Sequence, residues 1–205
     1  MDILIPTCKK WTEVEKQVEE IKNNTGSCFV ISTCLPYSAS VNRNEAHKRT
    51  KSKIVISVDD DVTGLYKGWE VDLIQPLLMN PQIRFCSARL MKTDGKTPNF
   101  MMTSKMQISP PLEIVPRCPT SAYAYRKEEF DSLIGYWNKD SSPFDVNFKG
   151  SGWEDTAIVF DLQQKFPDTM VVINNQCKLI HINEEKNQKK YFNENKEYFL
   201  RSGRK

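Results

Sequence analysis

Long apolar runs are missing from this chain. Nothing in its 205 residues approaches the roughly 18 consecutive apolar positions of a transmembrane helix, so no membrane-spanning segment is expected. The opening residues, Met1-Asp2-Ile3-Leu4-Ile5-Pro6-Thr7, lack both the basic start and the apolar core of a secretory signal. A strong charge of either sign is also missing: 29 Lys and Arg face 26 Asp and Glu, a formal net charge of +3. A nucleic-acid binder would show a large, clustered basic excess, so no nucleic-acid partner is expected. Metal-finger spacing is absent too. Cys8, Cys28, Cys34, Cys86, Cys118 and Cys177 form no C-x-x-C pair, and neither histidine stands at finger distance. They read as reduced thiols of a cytoplasmic protein, several of them small hydrophobes within apolar runs. These absences exclude the membrane, fibrous, disordered and secreted-miniprotein classes.

What is there is an ordinary globular composition, 39% hydrophobic and 27% charged. A chain of this length buries roughly 70% of the surface its unfolded form exposes, and needs no disulfide or structural metal to fold. One domain over residues 1–183 is expected. Residues 184–205 read as a polar helical tail docked on it through Tyr191, Phe192, Tyr198 and Phe199.

Periodicity divides the first ninety residues into alternating strands and helices. Ile3-Leu4-Ile5, Cys28 to Ile31, Lys53 to Val58 and Ile83 to Ser87 read as buried strands. Between them lie helices opened by a capping box at Thr12 to Glu15, running from Ser38 to Arg49, and running from Trp69 to Met79. Such alternation predicts an α/β fold, a mostly parallel central sheet with helices on both faces. The proline-rich stretch from Thr93 to Pro119 predicts an irregular or antiparallel excursion. Lys127 to Ile134 and Glu154 to Lys165 read as helices. Met170 to Ile173 and Leu179 to Ile182 read as two further strands. Parallel sheets bind ligands outside the carboxyl ends of their strands, and Pro6-Thr7 and Asp59-Asp60-Asp61 both fall there.

Four features carry chemistry. Asp59-Asp60-Asp61 follows an apolar strand. Three adjacent carboxylates repel one another, and a hard cation such as Mg²⁺ or Mn²⁺ relieves that cost. Asp59 and Asp61 share one side of an extended chain and can face one ion. A solvated acidic turn is the plainer reading of the motif alone. Gly150-Ser151-Gly152-Trp153-Glu154-Asp155 opens a helix, with Trp153 as a flat wall for a sugar ring and Glu154 or Asp155 as a general base. Taken singly, it is an ordinary acidic helix start. His181 ends an apolar strand, where neutral imidazole suits Mn²⁺, or serves only as a buried structural histidine. Arg43, in Asn42-Arg43-Asn44, can meet a phosphate or base with its planar fork, or lie on a solvated helix face.

In this order the motifs resemble the GT-A class of nucleotide-sugar glycosyltransferases, most nearly the family-2-like group. In that family an N-terminal strand ends in a small polar pair that meets the nucleotide, here Pro6-Thr7. An Arg-Asn pair follows, here Arg43-Asn44, and a strand then delivers the Asp-x-Asp motif, here Asp59-Asp60-Asp61. A strand-helix segment follows at Ala122 to Lys127, with an Ile-Gly-aromatic turn at Ile134-Gly135-Tyr136. The Glu-Asp pair opens a helix at Trp153-Glu154-Asp155, and a late histidine closes the series at His181. The resemblance spans residues 2 to 182. The family often has glycine just before the aromatic-Arg step, where this chain has Ser121.

The resemblance implies transfer of a sugar from a nucleoside-diphosphate donor, a UDP-sugar, to a glycan or other hydroxyl-bearing acceptor. Mn²⁺ or Mg²⁺ would be held by Asp59, Asp61 and His181, with Asp61 the direct ligand. Pro6, Thr7, Arg43, Asp59, Asp60 and Trp153 would contact the donor. Asp155, or else Glu154, would take the acceptor's proton, inverting the anomeric centre. One rival is a nucleotidyltransferase making nucleotide sugars, which would want a glycine-rich basic loop where Pro6-Thr7-Cys8-Lys9-Lys10 stands. The other is a non-catalytic carbohydrate- or metal-binding module.

Overall fold

The computed structural model describes residues 1–99, 106–109, 111–136, 142–182 and 189–204, with 106–109 and 189–190 as backbone only. The strands are β1 (Asp2–Ile5), β2 (Phe29–Ser32), β3 (Ile54–Val58), β4 (Val62–Thr63), β5 (Ile83–Met91), β6 (Met106–Ser109), β7 (Leu112–Ile114), β8 (Ala122–Arg126) and β9 (Met170–His181). The helices are α1 (Trp11–Asn24), α2 (Ala39–Lys48), α3 (Trp69–Met79), α4 (Lys127–Asp131), α5 (Glu154–Lys165) and α6 (Lys189–Arg201). Among the described residues no helix is long and apolar enough to cross a membrane.

All these strands join one sheet in the order β2-β1-β3-β8-β5-β9-β7-β6, with β4 added against β9. β1 lies parallel to β2 and β3, and β5 lies parallel to β9. β8 is antiparallel to both β3 and β5, so β1, β2, β3, β5 and β9 all run the same way. The predicted α/β architecture is present, with β8 slotted antiparallel into its middle. The alternation of the first ninety residues gives no sign of this insertion, because β8 pairs with strands far from it in sequence.

Side chains alternate across the sheet and build a core on each face. Ile3, Ile5, Ile56 and Val58 pack with Val18 and Ile21 of α1 and with Trp69, Leu73 and Leu77 of α3. Leu4 and Val55 face the other way, toward Ala46 of α2, Phe130 of α4 and Ile158, Val159 and Leu162 of α5. Each such aliphatic side chain, fully buried, contributes about 1.5–3 kcal/mol of transfer free energy.

Two local expectations change. α1 starts a little earlier than its predicted box: the Glu13 carboxylate accepts from the Lys10 amide at 2.9 Å, so the box is Lys10–Glu13 rather than Thr12–Glu15. The two late strands are one strand, β9, whose pairing with β5 shifts register between Ala88 and Arg89. The polar run Asn174-Asn175-Gln176 looks like a break, but it is a bulge with partners: Asn174 Nδ2 donates to the Asp72 carbonyl at 2.6 Å, and Asn175 Nδ2 to Glu113 at 2.8 Å. The excursion after Thr93 includes an antiparallel β6–β7 pair, while residues 100–105 and 110 lie outside the described set.

α6 docks beside α5. Phe199 packs with Phe148 and Ala157, and Tyr198 and Phe160 adjoin them. Arg204 lies fully buried between two acids. Its Nε and Nη2 donate to the two oxygens of Asp161 at 2.8 and 3.0 Å, and its Nη1 donates to Asp145 at 3.0 Å. Tyr198 also donates to Asp145, at 2.8 Å.

Candidate active site

The acidic motif leaves the carboxyl end of β3 and turns at once. The Val62 amide donates to the Asp59 carbonyl at 3.1 Å. Gln17, from α1, donates Nε2 to the carbonyls of Asp59 (2.6 Å) and Val62 (3.1 Å) and pins the turn from below. Asp59 and Asp61 therefore do not line one side of an extended chain. Each of the three carboxylates has its own basic neighbour: Asp59 meets Arg43 Nη2 at 3.1 Å, Asp60 meets Lys9 Nζ at 2.9 Å, and Asp61 meets His181 Nε2 at 3.1 Å. Asp60 also accepts from the Thr7 hydroxyl, which ties the end of β1 to the end of β3. Thr7 is buried and Pro6 half-buried at that seam.

His181 ends β9 opposite Val62 of β4. Burial opposes a charge on its ring, but Asp61 and Asp59 outweigh it and raise the pKa above the ordinary histidine value. Asn99 Nδ2 contacts the other ring nitrogen, Nδ1, at 2.8 Å. Asp61 Oδ1 is buried and accepts no aligned hydrogen bond from the described residues, although His181 Nε2 stands 3.1 Å away. Two neighbouring ligands at about 2.1 Å from one hard cation stand about 3 Å apart, so this pair fits a divalent ion. No group of three potential His, Cys, Asp or Glu ligands gathers among the described residues. The expected trio is not brought together as one set, because Arg43 engages Asp59.

Arg43 is the hinge of the arrangement. It is nearly fully buried. Nη1 donates to Glu154 Oε1 at 3.1 Å, and Nη2 donates to Asp59 at 3.1 and 3.4 Å and to the Thr120 carbonyl at 3.4 Å. Burial works against its charge, yet Asp59, Tyr123 and Glu154 raise its pKa further, so it stays a cation. The guanidinium fork expected to meet a phosphate or base is engaged by two carboxylates. Burial raises the Asp59 pKa, and Arg43 offsets this only in part. Neighbouring Asn44 closes a pair of bonds with the Phe144 backbone at 2.8 and 2.9 Å and fixes α2 against the segment leading to α5.

Glu154 and Asp155 open α5 with different surroundings. Glu154 is buried and bound to Arg43. Asp155 is half-buried and accepts from the Thr156 amide at 2.6 Å. Burial, helped by the charge of Glu154, pushes its pKa up to about 6 against the pull of Thr156 and Arg43. Trp153 adopts φ +71°, a left-handed conformation seldom seen outside glycine. Its indole, expected to form a wall for a sugar ring, packs instead against Phe192 and Phe199 of α6, with ring centroids at 5.7 and 5.4 Å.

The sequence reading passed over Gln17, Asn99, Lys9 and Asn195, whose contacts form only on folding. Gln17 gave one local signal, a polar residue among the apolar positions Val14, Val18 and Ile21 of α1.

No protein-family model matches this chain, and no curated protein does. Solved structures do. GalNAc-T7 bound to UDP, GalNAc and Mn²⁺ superposes with TM-score 0.57 at 13% identity, over 89% of this chain but only 37% of its own. Glucosyl-3-phosphoglycerate synthase from Mycobacterium tuberculosis, in complex with Mg²⁺ and UDP, gives TM-score 0.57 at 14% identity over 89% of this chain and 71% of its own. A further mycobacterial protein gives TM-score 0.59 at 12% identity over 91% and 68% of the two chains. The chain thus has the GT-A fold of nucleotide-sugar glycosyltransferases, and it spans little more than a third of GalNAc-T7.

Proposed function

We propose that this protein is a metal-dependent glycosyltransferase that moves a sugar from a UDP-sugar to a hydroxyl acceptor with inversion. The observation that carries the reading is the split between the two acids at the start of α5, on a fold shared with UDP-bound transferases. Glu154 is neutralised by Arg43, while Asp155 is half-buried with its pKa pushed up to about 6. A carboxylate with that pKa is ionised at neutral pH yet basic enough to accept a proton in a transition state. Asp155 takes the proton of the acceptor hydroxyl as its oxygen bonds to the anomeric carbon and the bond to the diphosphate breaks. Glu154 and Arg43 keep Asp59 and the start of α5 in fixed relation.

Pro6, Thr7 and Asp60, at the ends of β1 and β3, form the seat for the nucleoside. Asp61 and His181 would hold Mn²⁺ or Mg²⁺. When bound, that ion supplies positive charge to the departing diphosphate. The test is incubation with a panel of UDP-sugars with and without Mn²⁺, reading UDP release and thermal shift. Mn²⁺-dependent UDP release that is lost in Asp155→Asn supports the reading. Absence of both UDP release and any thermal shift with every donor overturns it.

A further inference from the structure

The loop before α5 is bent in a way its sequence cannot hold alone. Gly150, Gly152 and Trp153 all have positive φ, at +56°, +103° and +71°. The glycines adopt such angles freely, but Trp153 holds one only where its surroundings fix it. The fixing group is on α6. Asn195 is almost fully buried and bonds the loop backbone three times. Its Oδ1 accepts from the Lys149 amide at 3.0 Å, and its Nδ2 donates to the carbonyls of Lys149 (2.9 Å) and Gly152 (2.8 Å). Tyr191, one turn earlier, lies so close over Gly150 that an added Cβ would come within 2.6 Å of its ring. The Ala157 amide of α5 donates to the Trp153 carbonyl at 2.9 Å, so the loop's exit sets where the helix begins.

We propose that Asn195 is a positioning residue: by holding the backbone of residues 149–152 it fixes the direction in which Asp155 leaves the start of α5. The inference rests on the transferase reading and adds to it a helix that contributes none of the proposed donor contacts. A single amide does this because it offers both an acceptor and two donors in one plane, matching one N–H and two C=O groups. An aspartate in its place would keep the acceptor but set a carboxylate against two carbonyl oxygens.

The experiment compares wild type with Asn195→Ala and Asn195→Asp in the full chain. Three quantities are read: backbone amide exchange, UDP binding with Mn²⁺ by calorimetry, and the rate of UDP release from the best donor of the panel. The expected result is faster exchange confined to residues 149–157, UDP affinity within about twofold of wild type, and UDP release at least tenfold slower. Should either variant fail to fold, Gly150→Ala reaches the same loop from the other side, through the Tyr191 clash, and must give the same split. Slower release that comes only with weaker UDP binding overturns the proposal, as does unchanged release with a loosened loop. Those two results leave the transferase reading standing. A wild type that neither binds UDP nor releases it overturns both.

Discussion

Two regions of the candidate site are held in opposite ways. At the acidic turn Gln17 pins the backbone, but the three carboxylates are held by charge: Arg43, Lys9 and His181 each face one of them. The loop at 149–153 is held by shape, through the backbone bonds of Asn195 and the rings of Tyr191 and Phe192 above two glycines. Charge-held groups can change partners when a ligand arrives, because a diphosphate or a cation offers the same kind of interaction. A shape-held loop has no such exchange open to it, which suits the group that must stay aimed. On the proposed reading, the donor end of the site is the one that binding can rearrange, and the base end the one that resists it.

The largest effect expected is at the shape-held end. Asp155→Asn keeps size and hydrogen bonding but cannot accept a proton, and general-base loss lowers rates about 10²- to 10⁴-fold. UDP binding with Mn²⁺ should stay within about twofold, because its seat lies on the charge-held side. Near-normal turnover in this variant, with Glu154→Gln inactive, would move the base to Glu154.

Next comes Arg43, which touches both regions. Arg43→Met leaves Asp59 and Glu154 without their shared buried cation, and breaking such a pair costs about 3–5 kcal/mol. Denaturant unfolding checks this. A loss below about 1 kcal/mol, the range of exposed ion pairs, would show the two acids to be solvated, and the contrast between the regions would fail.

At the charge-held end, Asp61→Ala should abolish the Mn²⁺ dependence of UDP binding, and His181→Ala should weaken it less, since water can replace one neutral ligand. Chelation by EDTA should mimic Asp61→Ala in wild type and change nothing in that variant. Calorimetry at matched ionic strength separates these cases.

The smallest effect expected is in the pH profile. With Asp155 raised to about 6, UDP release should climb as pH rises to that value and level off above it. The sign for stability is the reverse. The folded protein keeps this proton to a higher pH than the unfolded chain, whose carboxyl titrates near 3.9. The stabilising contribution is therefore complete below about 4 and lost as pH rises through about 6. A profile with no limb between pH 5 and 7 in buffer of fixed ionic strength would remove Asp155 from the rate equation.

How much of this was legible before folding follows the same division. Helices α3 and α5 were readable to their ends, because hydrophobic periodicity and the glycines and prolines that bound them are local. The direction of the sheet was readable from strand–helix alternation, but the antiparallel β8 was not, since its partners at 54–58 and 85–87 are chosen by tertiary packing. Asp59, Asp61, His181 and the Glu154-Asp155 pair stood out as residue types at strand and helix ends. Which of them pair with which, and with Arg43, did not. Arg43 reaches Glu154 across 111 residues and Asn99 reaches His181 across 82, distances over which no pattern in the chain speaks. Trp153 is ambiguous for a physical reason: an indole beside two glycines suits a sugar ring or a neighbouring helix equally well, and here it lies against Phe192 and Phe199 of α6.

The buried Arg204 has a consequence for synthesis. A nascent chain that has emerged as far as residue 182 already carries the acidic turn, Arg43, Asp155 and His181. It does not carry the residues that pin the 149–153 loop, nor the guanidinium that reaches back to Asp145 and Asp161. Those two acids wait for their shared cation until Arg204 clears the ribosomal tunnel. A chain stopped short of Arg204 therefore lacks the shared cation of Asp145 and Asp161 and, on the proposed reading, the α6 contacts that aim Asp155.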